Sequence, residues 1–153
     1  MEVSKENARA KAEHYCAYQE RSQQEVRDKL YSWGLHQLDV ENLIADLIAA
    51  GFLNEERFAL AYASGKFRLK SWGKHKIKQG LQQKSVSKPL IKMALASLDD
   101  QAYREKLHEL LQAKARLEKE KHPYKRKHKL LRYAISKGYE SELALELLND
   151  NDL

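Results

Sequence analysis

The 153-residue sequence predicts an all-α protein built as an elongated, curved array of three tandem three-helix units. Three observations carry this. Apolar residues recur at helical spacing throughout, as in Val26, Leu30 and Trp33 or in Val40, Leu43, Ile44 and Leu47. Six Gly and two Pro are too few to punctuate an all-β chain. The pattern also returns with a period near 50 residues. Ile77 and Leu81 take the places of Val26 and Leu30, and Ile91, Ala94 and Leu95 those of Val40, Leu43 and Ile44. A third copy follows, with Leu130, Ala134 and Lys137-Gly138 matching Ile77, Leu81 and Lys84-Ser85. Ala144, Leu147 and Leu148 complete it, and Lys74-His75-Lys76 reappears as Lys127-His128-Lys129.

The expected helices are 5–20, 23–33, 39–50, 55–70, 73–84, 88–98, 101–120, 124–137 and 140–149. Ser22 with Glu25 forms a capping box for the second, and Gly34 stops it. Gly51 ends the third, and Asn54 caps the fourth, whose Phe58, Tyr62, Gly65 and Leu69 share a face. Leu60 and Phe67 lie opposite that face, so this helix bridges packed neighbours or presents a ring to a partner. Pro89 sits near a helix start, Pro123 separates 101–120 from its successor, and Asp99-Asp100 read as a cap. Units of this size bury too little to stand alone and must share faces. The units are placed at 1–53, 54–99 and 100–153.

Charge is segregated. Residues 57–98 hold ten Lys or Arg and no Asp or Glu, in a chain with 22 acids. Residues 1–56 carry six bases and eleven acids, and residues 99–153 twelve bases and eleven acids. A basic centre attracts polyanions or an acidic protein surface. Its candidate phosphate contacts are Lys66, Arg68, Lys70, Lys74, Lys76 and Lys78. Lys125, Arg126, Lys127, Lys129 and Arg132 stand at the corresponding place in the third unit, so one basic stripe is expected. On helix 73–84, Ile77 and Leu81 face inward, while His75 and Gln82 face solvent. Base-specific readout is not indicated.

Catalytic patterns are missing from the sequence. There is no Gly-rich phosphate loop, and the six His at 14, 36, 75, 108, 122 and 128 show no metal spacing. Cys16 reads as a small buried apolar residue rather than a nucleophile. A single cysteine and no apolar run of membrane length place the chain in a reducing cytoplasm, without membrane contact. No enzyme and no cofactor is indicated, and a monomer is expected.

The stretch Gly51-Phe-Leu-Asn-Glu-Glu-Arg-Phe-Ala-Leu-Ala-Tyr62, followed by Trp72-Gly73-x-x-Lys76-Ile77-x-x-x-Leu81, resembles the RecX family of bacterial recombinase regulators. So does Arg21-Ser22-x-x-Glu25-Val26-Arg27-x-Lys29-Leu30. The likeness covers residues 8–98; beyond them it is one of hydrophobic pattern alone. The motif residues Ser22, Glu25, Leu30, Asn54, Arg57, Phe58, Tyr62, Trp72, Gly73, Ile77 and Leu81 read as mainly structural, with Arg57 and Glu56 in surface or packing ion pairs. The resemblance implies a non-enzymatic protein that binds the RecA–DNA filament, lies in its groove and inhibits its ATPase and strand exchange. It also implies weak, non-specific contact with single-stranded or duplex DNA. Two other readings stay open: an independent nucleic-acid-binding helical protein, and a helical-repeat adaptor for an acidic protein.

Overall fold

The structure, a computed structural model, describes residues 4–153. Among them the regular elements are α1 (Lys5–Tyr18), α2 (Gln23–Ser32), α3 (Gln37–Ala49), α4 (Glu55–Lys70), α5 (Lys74–Gln83), α6 (Lys88–Ala96), α7 (Asp100–Leu117), α8 (Pro123–Ser136) and α9 (Ser141–Asp150). The fold is therefore all-α, a tandem of helices as the periodicity predicts. None of these helices is long and apolar enough to cross a membrane.

Several helices are shorter than their apolar patterns. α1 ends at Tyr18 because Gln19 is extended, and Ser22 must also be extended to cap α2. The cap is reciprocal: Glu25 N–H donates to Ser22 Oγ at 3.0 Å, and Ser22 N–H donates to Glu25 Oε1 at 3.1 Å. α7 begins where Asp99 Oδ2 accepts the Ala102 N–H at 2.8 Å, and it stops at Leu117 with Glu118 extended. The second helix of each repeat closes in the same way. Gly34, Ser85 and Gly138, at matching positions, have φ of 87°, 59° and 98°. Left-handed backbone there turns the chain toward the next helix, and only Ser85 bears a Cβ while doing so.

Contacts divide the molecule into two compact bodies. One runs to Tyr62 and includes Leu81–Ala94; the other is Ala63–Gly80 with Leu95–Leu153. Residues of α4, α5 and α6 are shared out between them. In the first body, α1, α2 and α3 pack on one another. α1 contributes Ala8, Ala12 and Cys16, small residues four apart that let Val26, Leu30, Val40, Ile44 and Leu47 approach closely. Cys16 is buried, and burial pushes its thiol above the ordinary value, which disfavours the nucleophilic thiolate.

In the second body, α7, α8 and α9 pack together. Tyr103, Leu107, Leu111 and Ala115 form the buried stripe of α7, opposite Leu130, Ala134, Ala144, Leu147 and Leu148. The repeat-matched apolar positions are buried, apart from half-buried Leu95. Phe67 is buried and stacks on Tyr103 with centroids 5.9 Å apart, so it packs internally rather than meeting a partner. Leu69, expected on the inward face of α4, is exposed instead. Phe67 fills the inward side of that last turn, and Leu69 lies two residues on, about 200° around the helix.

Candidate nucleic-acid interface

The basic centre is organised by a turn. α4 ends at Lys70, Ser71 turns with φ 57°, and α5 starts after Gly73. The first N–H groups of α5 have no intrahelical partner. The α8–α9 turn and Tyr103 of α7 satisfy them. Gly73 N–H donates to the Lys137 carbonyl at 2.7 Å, His75 N–H to the Gly138 carbonyl at 2.9 Å, and Lys74 N–H to Tyr103 Oη at 2.9 Å. Tyr103 in turn donates to the Glu140 carboxylate, and Tyr139 Oη donates to the Ser71 carbonyl at 3.0 Å. Burial, with Glu140 alongside, pushes both tyrosine hydroxyls well above their ordinary range. The α4–α5 turn is thus locked to the α8–α9 turn, and the cations flanking it sit on a rigid support.

Trp72 is half-buried beside this lock, with Lys66 Nζ 4.8 Å and Lys76 Nζ 5.0 Å from its ring centroid. Two cations from different helices therefore share one indole. Arg68, Lys70 and Lys78 are exposed, and Arg68 Nε donates to Ser64 Oγ at 3.2 Å, one turn back. Lys74 turns toward the lock: its Nζ is 4.9 Å from the Tyr103 ring and 3.9 Å from the Asp100 carboxylate. Lys66, Trp72 and Lys76 form the aromatic centre of the surface, and Arg68, Lys70 and Lys78 supply its exposed charge.

The third-unit cluster is less uniform than its sequence. Lys125 and Arg132 are exposed. Arg126 is committed to main-chain carbonyls: Nη2 donates to Ala115 at 2.8 Å, Nη1 to Glu118 at 2.9 Å, and Nε to Leu153 at 2.9 Å. It thereby satisfies the end of α7 and halts that helix. Lys127 donates to Asn149 Oδ1, and Lys129 lies 3.6 Å from the Glu118 carboxylate. Matching position in the repeat does not confer matching surface here. The offset that aligns Lys74 with Lys127 puts Arg126 opposite Gly73, and each makes a different structural contact.

The motif residues occupy internal positions. Leu30, Ile77 and Leu81 are fully buried, and Phe58 is buried against half-buried Tyr62 at 5.7 Å. Asn54 Oδ1 accepts the Arg57 N–H at 2.8 Å. Arg57 pairs with Glu20 at 2.5 Å, not with its neighbour Glu56. Its Nη2 also donates to the Gly51 carbonyl at 3.1 Å, so it fastens the α3–α4 link. Sequence reading did not single out Tyr103, Tyr139 or Glu140. Tyr103 and Tyr139 sit on core-facing or turn positions, and only folding brings their hydroxyls to the α5 start. The available signal was Gly73 itself, a glycine at a helix start where a side-chain cap is usual.

Three family profiles match in chain order: the RecX first three-helix domain at residues 8–47, the second at 54–95 and the third at 101–148. Regulatory protein RecX of Clostridium perfringens strain 13 is 33% identical over 122 residues, covering 78% of this chain and 57% of that protein. Regulatory protein RecX of Halalkalibacterium halodurans is 34% identical over 143 residues, covering 90% of this chain and 52% of that one. The chain thus spans little more than half the length of these relatives. The crystal structure of RecX from Lactobacillus salivarius has the same fold, with a TM-score of 0.87 at 23% identity over 95% of both chains.

Proposed function

Because this chain belongs to the RecX family of regulatory proteins, we propose that it regulates the RecA recombinase by docking on the RecA–DNA filament and modulating ATP hydrolysis and strand exchange. It does so as a cytoplasmic monomer without catalysis of its own, with three-helix units at 1–53, 54–99 and 100–153 as its modules. The observation that carries this reading is the set of three family domains in order on a chain whose centre has ten bases and no acid. A filament holding DNA is a polyanion, and phosphate contacts made by Arg68, Lys70 and Lys78 release counterions. Contact with single-stranded or duplex DNA follows from the same cations and is weak and non-specific. A second reading, an independent nucleic-acid-binding protein, is favoured by the Lys66–Trp72–Lys76 cluster, whose indole offers a stacking surface between cations.

ATPase assays separate the two. Added to the host recombinase on single-stranded DNA, the chain should lower ATP hydrolysis at substoichiometric amounts, less so as salt rises. The triple variant Arg68→Glu, Lys70→Glu and Lys78→Glu should lose most of this effect, while Cys16→Ala keeps it. Unchanged hydrolysis and strand exchange at saturating chain would end the regulatory reading and leave the nucleic-acid reading in its place.

A further inference from the structure

The first body carries an aromatic face that neither the core nor the basic centre accounts for. α1 already buries Ala8, Ala12 and Cys16, yet its last residue, Tyr18, is 77% exposed. Tyr15 and Trp33 pack only their inner edges on the core and remain half-buried. These three rings line one concave face together with Lys11, His14 and Arg21. The Arg21 guanidinium lies 3.7 Å from the Tyr15 centroid and 5.9 Å from that of Tyr18. Its Nε is fixed by donation to the Tyr15 carbonyl at 3.0 Å. Lys11 Nζ is 4.6 Å from the Trp33 centroid, and Lys29 Nζ is 5.6 Å from that of Tyr15.

The charge at this face opposes that of its surroundings. Residues 1–56 hold eleven acids against six bases, yet three of those bases, Lys11, Arg21 and Lys29, gather on these rings. Among the described residues no carboxylate lines the face itself, and Glu25 and Asp28 act on Tyr15 from outside that lining. A ligand that suits it has a flat π surface for Tyr18 and the outer side of the Arg21–Tyr15 stack, and a negative group within reach of Lys11 and Arg21. Unpaired nucleotides combine the two at the spacing of adjoining base and phosphate. An acidic peptide would use the cations and leave the rings idle.

We propose that the Tyr15–Tyr18–Trp33 face, with Lys11 and Arg21, is a stacking subsite for single-stranded nucleic acid in the first unit, apart from the basic centre. Stacking one base on an aromatic side chain corresponds to roughly a 5- to 150-fold change in affinity on truncation.

The chain has two Trp, so Trp72→Phe leaves Trp33 as its sole indole. In that background, with no recombinase present, Trp33 emission is followed on titration with a short oligothymidylate, an abasic strand of equal length, and polyglutamate. Oligothymidylate should quench Trp33 and bind at least fivefold tighter than the abasic strand. Tyr18→Ala should abolish that contrast, and exposed Tyr18 can be truncated without disturbing the core. Lys11→Gln should weaken both strands. Equal binding of the two strands, or a silent Trp33 at saturation, overturns the proposal. Tighter binding of polyglutamate also overturns it and assigns the face to an acidic protein. Recombinase assays are absent from this test, so its failure is distinct from failure of the regulatory reading.

Discussion

Gly73 and Gly138 meet backbone to backbone. A Cβ on Gly73 would lie 2.4 Å from the Gly138 carbonyl carbon, and one on Gly138 would lie 2.4 Å from Lys76 Cβ. This proximity is what lets the Lys137 and Gly138 carbonyls accept the first N–H groups of α5. It also explains why the Trp72-Gly73 motif carries glycine. No other residue permits two turns to share their main-chain hydrogen bonds at this distance.

The first prediction uses two glycines of opposite sign. Gly73→Ala must separate the turns, and should cost about 1–3 kcal/mol or more through overpacking and lost hydrogen bonds. Gly65, inside α4, has nothing within 4 Å of its virtual Cβ. Gly65→Ala should therefore stabilise the chain by about 0.5–1 kcal/mol, since alanine loses less backbone entropy in a helix. Urea denaturation of the two variants should shift the midpoint in opposite directions. A Gly73→Ala midpoint at or above that of the parent would show that the Gly73–Gly138 contact is not what holds the turns.

A second prediction separates two arginines of one basic helix. Arg126 ties the end of α7 to α8 through carbonyls, whereas Arg132 is exposed. Arg126→Ala should cost about 2 kcal/mol, because part-buried carbonyls lose charge-assisted donors. Arg126→Lys should restore little, as one ammonium cannot span the same fork of acceptors. Arg132→Ala should stay within about 0.5 kcal/mol of the parent. Thermal melts of the three variants decide the matter, and equal effects at 126 and 132 would refute it.

The third prediction concerns alkaline pH. The fold holds Tyr103 as the neutral phenol, donating to Glu140 and accepting from Lys74 N–H. Burial and then the Glu140 carboxylate raise its folded pKa above the ordinary value. A raised folded pKa gives stability that is complete below the unfolded value, about 10, and is lost as pH rises above it. Tyr103→Phe should cost about 1–3 kcal/mol at neutral pH. It should also flatten the decline in stability between about pH 10 and 12. An identical alkaline slope in parent and variant would show that the hydroxyl is not held neutral by the fold.

Much of the fold could be read from local chemistry. The Ser22–Glu25 box, the Asn54 and Asp99 caps and the apolar stripes 26/30, 77/81 and 130/134 depend on residues three or four apart, and their consequences do not need the rest of the chain. Helix ends were less legible. The stop of α7 at Leu117 depends on Arg126, which is remote from it in sequence. The family motifs were legible as motifs, but their contacts were not: Arg57 finds Glu20 rather than Glu56, and Trp72 finds Lys66 and Lys76 together.

By itself, then, the sequence determined that this chain is a tandem of helices with a basic, acid-free centre, and that its motifs are those of a RecX protein. Periodicity, capping and charge are short-range or additive, so they survive being read in one dimension. Only the tertiary structure decided which bases are available to a polyanion. Lys125, Arg126 and Lys127 are three successive cations in the sequence, yet Lys125 is exposed, Arg126 is spent on main-chain carbonyls, and Lys127 binds Asn149. The same holds for glycine: Gly65 faces open space and Gly73 another backbone. A residue's partners across the fold are set by packing among distant segments, and no local pattern encodes them.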